Sequence, residues 1–107
     1  MRRRRPTPGA QKVAASIKVI YRDGGRKTFL IQEARTTIGR ADDNSLVLHD
    51  PDVSAYHAEI VISEGSFILR DLGSANGTFL NGERIDEAAV YQGDKIAVGS
   101  TRLIINE

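Results

Sequence analysis

Two Asn-Gly dipeptides, at residues 76–77 and 81–82, constrain the fold of this chain more than any other short stretch. Asn-Gly is the strongest short-range hairpin signal, because both residues tolerate the positive φ that a type I′ turn requires. The three residues between the dipeptides, 78–80, are Thr-Phe-Leu. The stretch 73–82 therefore predicts a short strand held between two tight turns.

The same pattern of short extended segments and turn signals continues from residue 16 to the end of the chain. Ile17, Val19 and Tyr21 alternate with polar residues, which is the period of two expected of a half-buried strand. Residues 86–91 are the only segment predicted to wind one helical turn. Around ten short strands predict an all-β fold, a sandwich or a barrel, whose loops gather at its ends and carry binding sites. The predicted strands are 16–22, 27–32, 35–38, 46–48, 57–63, 66–72, 78–80, 83–85, 95–98 and 101–106.

Length and composition restrict the class of protein. A chain of 107 residues is large enough for one domain with a single core. It contains no cysteine, which excludes disulfides and thiolate zinc sites and fits a reducing compartment. No apolar run approaches the roughly 18 residues that cross a bilayer, and the arginines at 2–5 are not followed by the apolar core of a signal peptide. We therefore expect a cytoplasmic protein that does not insert into membranes.

Charge is distributed unevenly between the first residues and the rest. Residues 1–12 carry five cations and no acid, so a chain of net charge +1 has a net charge of −4 over the remainder. This predicts a disordered basic N-terminal arm at 1–15 and a folded domain at 16–107. Three roles of the arm remain open: a solvated tail, a contact with nucleic acid or a membrane surface, and phosphorylation at Thr7. The folded domain itself is not expected to bind nucleic acid.

Catalysis has one weak candidate arrangement in this sequence. Ser54 and His57 are three residues apart, and Asp50 or Asp71 could stand behind the imidazole as the acid of a triad. No nucleophile-elbow pattern supports this arrangement. A structural hydrogen bond between Ser54 and His57 is favoured over catalysis, and the chain is not expected to be an enzyme.

Metal binding is also not predicted. The two histidines, His49 and His57, lack the spacing of metal ligands. Residues 42–44 are Asp-Asp-Asn, but the glycine and glutamate of an EF-hand loop do not follow in place. We expect no metal and no other cofactor.

Anion binding is the stronger prediction. Arg40 follows Gly39 at the end of a predicted strand, while Ser54 and Asn76 lie in two further loops. Arginine offers a fixed fork of donors that suits phosphate, serine adds a hydroxyl, and an asparagine amide can hold a peptide backbone. Arg40 alone would be interpreted as a solvated charge, so the prediction depends on the three residues together.

These motifs, in this order and spacing, resemble the forkhead-associated (FHA) domain over residues 16–107. The resemblance implies an antiparallel β-sandwich of about eleven short strands, FHA/SMAD-like, whose apical loops bind phosphothreonine peptides without enzymatic activity. The motifs that carry it are Gly39-Arg40, Ser54-x-x-His57 and Asn76-Gly77, supported by Asp71-Leu72, the stretch 77–82, Gly93-Asp94 and Gly99.

The resemblance also implies a role for each motif residue. Arg40 and Ser54 would contact the phosphate, and Asn76 would hydrogen-bond the peptide backbone. Gly39 would give Arg40 room, and His57 would brace the loop that presents Ser54. The remaining motif residues would form structural turns: Gly77, Asn81 and Gly82.

Two positions depart from the family pattern. Ala55 stands where Asn, Arg or Lys often adds a contact, and Ala75 stands where Thr often helps to bind phosphate. Ser74 or a backbone N–H is expected to compensate. The alternative is a partner bound on the same scaffold without phosphate dependence.

The expected partners follow from the same resemblance. They are a phosphothreonine-containing protein, and a Ser/Thr kinase or its substrate, bound by a monomer in signalling or assembly. A phosphorylated Thr7 docking on Arg40 of the same or a neighbouring molecule is a further hypothesis.

Overall fold

Eleven short strands form all the regular secondary structure in residues 15–107, which are the residues that this computed structural model describes. None of these residues forms a helix, so none provides an apolar helix long enough to cross a membrane. The strands are β1 Ser16–Ile20, β2 Arg26–Leu30, β3 Arg35–Gly39, β4 Leu46–Val47, β5 Ala58–Ser63, β6 Ser66–Asp71, β7 Thr78–Leu80, β8 Glu83–Ile85, β9 Glu87–Val90, β10 Lys95–Val98 and β11 Thr101–Asn106.

The strands assemble into two sheets. The six-stranded sheet has the order β2-β1-β11-β10-β7-β8, and the five-stranded sheet has the order β4-β3-β5-β6-β9. All neighbouring strands run antiparallel except β3 and β4, which are parallel over two residue pairs. The predicted antiparallel β-sandwich of about eleven strands is confirmed.

Alternating side chains of the two sheets fill the core between them. In β1, Ile17 and Val19 are fully buried while Lys18 is exposed, which is the period of two read from the sequence. In the other sheet, Ile60 of β5 is opposite Leu69 of β6, and both side chains are buried. The core is therefore built from aliphatic residues that face inward from both sheets.

The segment 86–91 corrects the prediction of a helical turn. Residues 87–90 form β9, which pairs antiparallel with β6, and Val90 is opposite Phe67. Ala88 and Ala89 favour helix locally, but helix propensity is a weak preference that tertiary pairing overrides. The segment is an edge strand of the five-stranded sheet, and the side chain of Val90, which is 1% exposed, is buried in the core.

The two Asn-Gly dipeptides differ in structure. Asn81 and Gly82 both have positive φ, of 50° and 91°, and join β7 to β8 in the predicted two-residue hairpin. At 76–77 only Gly77 has positive φ, of 93°. The prediction of a type I′ turn there is wrong, because β6 and β7 belong to different sheets and the chain crosses between them.

Residues 1–14 lie outside the described part of the chain, and with them Thr7 and most of the predicted arm. Ala15, which the sequence assigned to the arm, is 4% exposed. Its carbonyl accepts a hydrogen bond from the Ile31 N–H at 3.0 Å. The pairing of β1 with β2 thus continues one residue before the predicted boundary.

Candidate functional site

Three loops meet at one end of the sandwich, and we call them the apical loops: 40–45 after β3, 48–57 after β4, and 72–77 after β6. Gly39 makes their close approach possible, because a Cβ there would lie 2.2 Å from the Ala55 carbonyl oxygen. The Arg40 N–H donates to the Ser54 carbonyl at 3.0 Å, and the Ala41 N–H donates to the Ala55 carbonyl at 3.1 Å. The space left by Gly39 is therefore occupied by the backbone of the second loop.

Arg40 is held in place at one nitrogen and open at the others. Its Nε donates to the Val53 carbonyl at 2.9 Å. The two terminal nitrogens make no hydrogen bond or ion pair with any residue in 15–107. A guanidinium that is fixed at Nε and free at its outer edge is oriented to donate to an anion.

Ser54 lies beside Arg40 and makes one contact with the third loop. Its Oγ accepts a hydrogen bond from the Ala75 N–H at 3.0 Å. Because that contact uses only a lone pair, the hydroxyl hydrogen remains available to a ligand. Ser54 therefore joins two of the apical loops and retains one donor.

Asn76 is exposed at the edge of the same cluster. Its Nδ2 donates to the Asp52 carbonyl at 2.9 Å. Its Oδ1 and second N–H have no partner among the described residues and can pair with a peptide backbone. The structure thus brings Arg40, Ser54 and Asn76 together around the segment 52–55.

His57 is fully buried beneath the apical loops and connects two of them. Its Nδ1 accepts from the Ser54 N–H at 3.1 Å, and its Nε2 lies 2.9 Å from the Gly77 carbonyl oxygen. Because Nδ1 is the acceptor, the hydrogen bonds assign the tautomer with the proton on Nε2. The imidazole braces two loops through their backbones and makes no hydrogen bond to the Ser54 hydroxyl, so the geometry of a triad is not formed.

Asp71 organises the third loop. Its carboxylate accepts from the Gly73 and Ser74 N–H groups and from the hydroxyls of Ser74 and Thr78, at 2.6–3.0 Å. Burial would raise the pKa of Asp71, but these hydrogen bonds outweigh it and hold the pKa below its ordinary value. The carboxylate is therefore a structural anchor of the loop.

Ser74 does not compensate for Ala55 or Ala75 as the sequence suggested. It is 8% exposed. Its Oγ donates to Asp71 at 2.6 Å and accepts from the Gly77 N–H at 2.9 Å. Since its single hydroxyl hydrogen is already committed, Ser74 shapes the loop and is not a phosphate contact.

Two further polar residues were not recognised in the sequence as parts of this site. Asp50, 7% exposed, accepts from the Asp52 N–H at 2.9 Å, the Ser100 N–H at 2.8 Å and the Thr101 hydroxyl at 2.8 Å. Burial would raise the pKa of Asp50, and the hydrogen bonds together lower it below the ordinary value. The Asp-Pro-Asp turn at 50–52 was the available signal, because aspartate often caps such turns.

Asn44 is the second polar residue that was not recognised in the sequence as part of this site. It is 7% exposed, and its Nδ2 donates to the Ala41 carbonyl at 2.9 Å and to the Ala55 carbonyl at 2.8 Å. It thereby joins the first apical loop to the second. Nothing in its local sequence distinguishes it from an ordinary loop asparagine.

Two surface depressions of the described residues lie along β3 and reach the first two apical loops at Asp43, Ser45 and Tyr56. The depressions, of about 460 Å³ and 270 Å³, share Glu33, Arg35 and Ser45 and include none of the three predicted ligand contacts. Residues 15–107 also contain no cluster of three His, Cys, Asp or Glu side chains that could hold a metal. The apical site is a surface of polar donors, so a ligand there would be held by hydrogen bonds and charge.

Comparison with known proteins identifies the same region. The model of the family described as "FHA domain" matches residues 36–99. A region of 76 residues is 40% identical to the glycogen accumulation regulator GarA of Mycolicibacterium smegmatis, covering 71% of this chain and 48% of that protein. A region of 95 residues is 38% identical to an ABC transporter ATP-binding/permease protein of Mycobacterium tuberculosis, covering 89% of this chain and 11% of that protein.

Solved structures agree with the sequence matches. A chain from a structural and functional study of phosphothreonine-dependent FHA domain interactions superposes with a TM-score of 0.77 at 33% identity. The superposition covers 86% of this chain and 96% of that chain. The chain therefore corresponds to nearly all of a solved FHA domain, but spans only about half of GarA (48%) and about a tenth of the transporter protein (11%).

Proposed function

The chain belongs to the FHA domain family, and we propose that it is a module that binds phosphothreonine peptides and joins proteins in kinase-linked signalling, without catalytic activity of its own. The observation that carries this proposal is the Arg40 guanidinium, which is fixed to the Val53 carbonyl at 2.9 Å with its outer nitrogens free. Its own loop is tied to the loop of Ser54, because the Arg40 backbone N–H donates to the Ser54 carbonyl.

The chemistry of the apical site supports a phosphorylated ligand. A phosphothreonine carries a charge of about −1.5 to −2 and three strong acceptor oxygens. Arg40 and Ser54 would donate to those oxygens, and the free Oδ1 and N–H of Asn76 would pair with the ligand backbone. Since Arg40 is already held by the Val53 carbonyl, Asn76 by the Asp52 carbonyl and Ser54 by the Ala75 N–H, little ordering remains to oppose binding.

The relatives support the same class of function. One solved structural neighbour comes from a study of phosphothreonine-dependent FHA domain interactions. Another relative is named as a regulator of glycogen accumulation. We infer that the partner is a phosphothreonine-containing protein, such as a Ser/Thr kinase or its substrate.

Titration against a library of phosphothreonine peptides tests the proposal. At least one peptide should bind at least tenfold more tightly than its unphosphorylated form, since hydrogen bonds to charged groups contribute about 1.5–3 kcal/mol each. Arg40→Ala should remove that difference while the far-UV circular dichroism of the domain stays unchanged. If no peptide in the library binds better when phosphorylated, the proposal is wrong.

A second candidate function is binding of a partner without phosphate. It is favoured by the absence of a polar side chain at Ala55 and Ala75 and by the commitment of Ser74 to Asp71. If this candidate is right, the Arg40→Ala variant should bind a partner protein isolated with the unchanged chain, with an affinity within about twofold of that of the unchanged chain. Loss of partner binding in that variant would exclude it.

A further inference from the structure

The outer face of the six-stranded sheet has a charge pattern that the apical site does not use. Residues directly opposite in an antiparallel pair point to the same side of the sheet, and the burial of their neighbours shows which side faces solvent. We call this solvent side the basic face. It consists of Ser16, Lys18 and Ile20 of β1, Arg26, Thr28 and Leu30 of β2, Phe79 of β7, Arg84 of β8, Lys95 and Ala97 of β10, and Arg102, Ile104 and Asn106 of β11.

The basic face carries five cations and no carboxylate. None of these five side chains makes an ion pair or hydrogen bond with another residue in 15–107. Residues 16–107 nevertheless have a net charge of −4. The cations are therefore concentrated on one surface of an otherwise acidic domain.

The outer face of the five-stranded sheet provides an internal comparison. There Arg35 and Arg70 approach Glu59 at 2.6 Å and 3.1 Å, and Arg70 also approaches Glu87 at 3.4 Å. The positive charges of that face are thus balanced within the fold. Those of the basic face have no such partner in the described residues.

The register arranges the basic face in rows. One row crosses all six strands, a width of about 24 Å at roughly 4.8 Å per strand. Half-buried apolar side chains separate its cations from one another, and in a second, shorter row an apolar side chain separates two lysines. In strand order the first row is Arg26, Ile20, Arg102, Ala97, Phe79 and Arg84, and the second is Thr28, Lys18, Ile104 and Lys95.

We propose that the basic face is a second binding surface, which docks a carboxylate-rich surface of a partner protein. Guanidinium groups pair with carboxylates in a fixed geometry, and arginine beside apolar side chains is characteristic of the centre of protein interfaces. Because all five cations are exposed to solvent, the docking is weak and sensitive to salt.

The composition of the face favours protein over the two other polyanions. Single-stranded nucleic acid is held by bases stacked on aromatic rings, and the only aromatic residue here is Phe79, which is half-buried. A membrane surface would be expected to meet several protruding apolar side chains. On this face only Leu30, which is 58% exposed, is a large and prominently exposed apolar residue.

The basic face adjoins the apical site at Arg84. A Cβ on Gly77 would lie 2.8 Å from Arg84 Nε, so the guanidinium stem covers the backbone next to Asn76. A protein bound by phosphothreonine at the apical loops could therefore extend its acidic surface across the sheet. The two contacts are nevertheless separable, because Lys18, Arg26 and Arg102 belong to strands β1, β2 and β11 and not to the apical loops.

Binding of poly-L-glutamate to the full chain tests this surface. All variants carry Gln in place of Arg2–Arg5, which removes the contribution of the arginines at 2–5. Neutralising Lys18, Arg26 and Arg102 together to Gln should weaken binding by about tenfold at low salt. Lys27→Gln is the matched control for Lys18→Gln, because Lys27 is opposite Val19 on the other side of the sheet. It removes the same charge and should change binding by less than twofold.

Each other outcome overturns the proposal. Equal loss in the Lys18→Gln and Lys27→Gln variants would mean that only net charge matters. Tighter binding of single-stranded DNA or of phosphatidylserine vesicles than of poly-L-glutamate, through the same residues, would assign the face to that ligand instead. The triple variant should keep its affinity for a phosphothreonine peptide, so failure of this test is distinguishable from failure of the proposed function.

Discussion

Replacing Gly39 by Ala tests whether the apical loops depend on close backbone contact. An added Cβ would lie 2.2 Å from the Ala55 carbonyl oxygen, whereas real Cβ contacts essentially never fall below 3.0 Å, so the second loop must withdraw by roughly 0.8 Å. The Asn44 Nδ2 to Ala55 carbonyl bond is 2.8 Å long. Lengthened by that amount it would reach about 3.6 Å, where it is no longer a hydrogen bond.

The same movement affects the bonds from the Arg40 and Ala41 N–H groups, of 3.0 Å and 3.1 Å. Three hydrogen bonds at about 0.5–1.5 kcal/mol each give an expected loss of about 1.5–4.5 kcal/mol in the free energy of unfolding. Urea denaturation of Gly39→Ala measures this loss, and phosphopeptide titration of the folded fraction should show weaker binding.

Gly25→Ala is the matched control for this experiment. Its added Cβ would meet only the Asp23 carboxylate at 3.1 Å and a Tyr21 ring carbon at 3.7 Å, and its φ is not in the left-handed region. The control should stay within about 0.5 kcal/mol of the parent. If Gly39→Ala is equally stable and binds phosphopeptide equally well, the close packing of these loops is not what forms the site.

Two further predictions concern the third apical loop. In the folded protein the pKa of Asp71 is lower than its ordinary value of 3.8, so the unfolded chain binds more protons in acid. The stabilisation of the fold by the Asp71 carboxylate is therefore complete above about pH 3.8 and is lost as the pH falls through the folded pKa. Asp71→Asn should therefore reduce the loss of stability as the pH falls below about 3.8, measured by urea denaturation. An unchanged loss of stability in acid would contradict this role. Ala75→Thr should tighten phosphothreonine-peptide binding by up to about tenfold, because its hydroxyl would add a charge-assisted donor. Calorimetric titration measures the affinity, and Ala75→Val is the control without the hydroxyl. An equal gain in affinity in both variants would show that the gain comes from packing and not from a hydrogen bond.

The sequence predicted the fold well where side-chain pattern and turn chemistry agree. The alternation in β1 and the Asn81-Gly82 hairpin are local features, and both were read correctly. The errors arose where partners distant in sequence decide the structure. Residues 87–90 form a strand because β6 pairs with them, and Asn76-Gly77 is a crossover because its flanking strands belong to different sheets.

The candidate site was predictable only in part for the same reason. Arg40, Ser54 and Asn76 could be named from motif spacing, but their mutual support by the 52–55 backbone could not. The Asp-Pro-Asp turn could indicate the local cap made by Asp50, but not its hydrogen bonds with Ser100 and Thr101, about 50 residues later in the chain. Ser74 was misjudged because an exposed loop serine and a buried one have the same sequence signature.

Two hydrogen-bonded residues, the buried His57 and the half-buried Asp71, explain how short loops can present a site of fixed geometry. His57 and Asp71 satisfy backbone groups of the apical loops from inside the fold. Buried polar groups that are fully hydrogen-bonded rigidify their surroundings. The outward donors of Arg40, Ser54 and Asn76 are therefore presented on a frame that exists before any ligand binds.

Nuclear magnetic resonance titration of the full chain with one peptide, in phosphothreonine and unphosphorylated forms, tests the central claim most directly. The phosphorylated form should shift the Arg40 Nε–H signal, the Asn76 side-chain amide and the Ser54 and Ala75 backbone amides, and the unphosphorylated form should leave them unchanged at the same concentration. Equal shifts with both forms, or shifts confined to the basic face around Lys18 and Arg102, would contradict a phosphothreonine site on the apical loops.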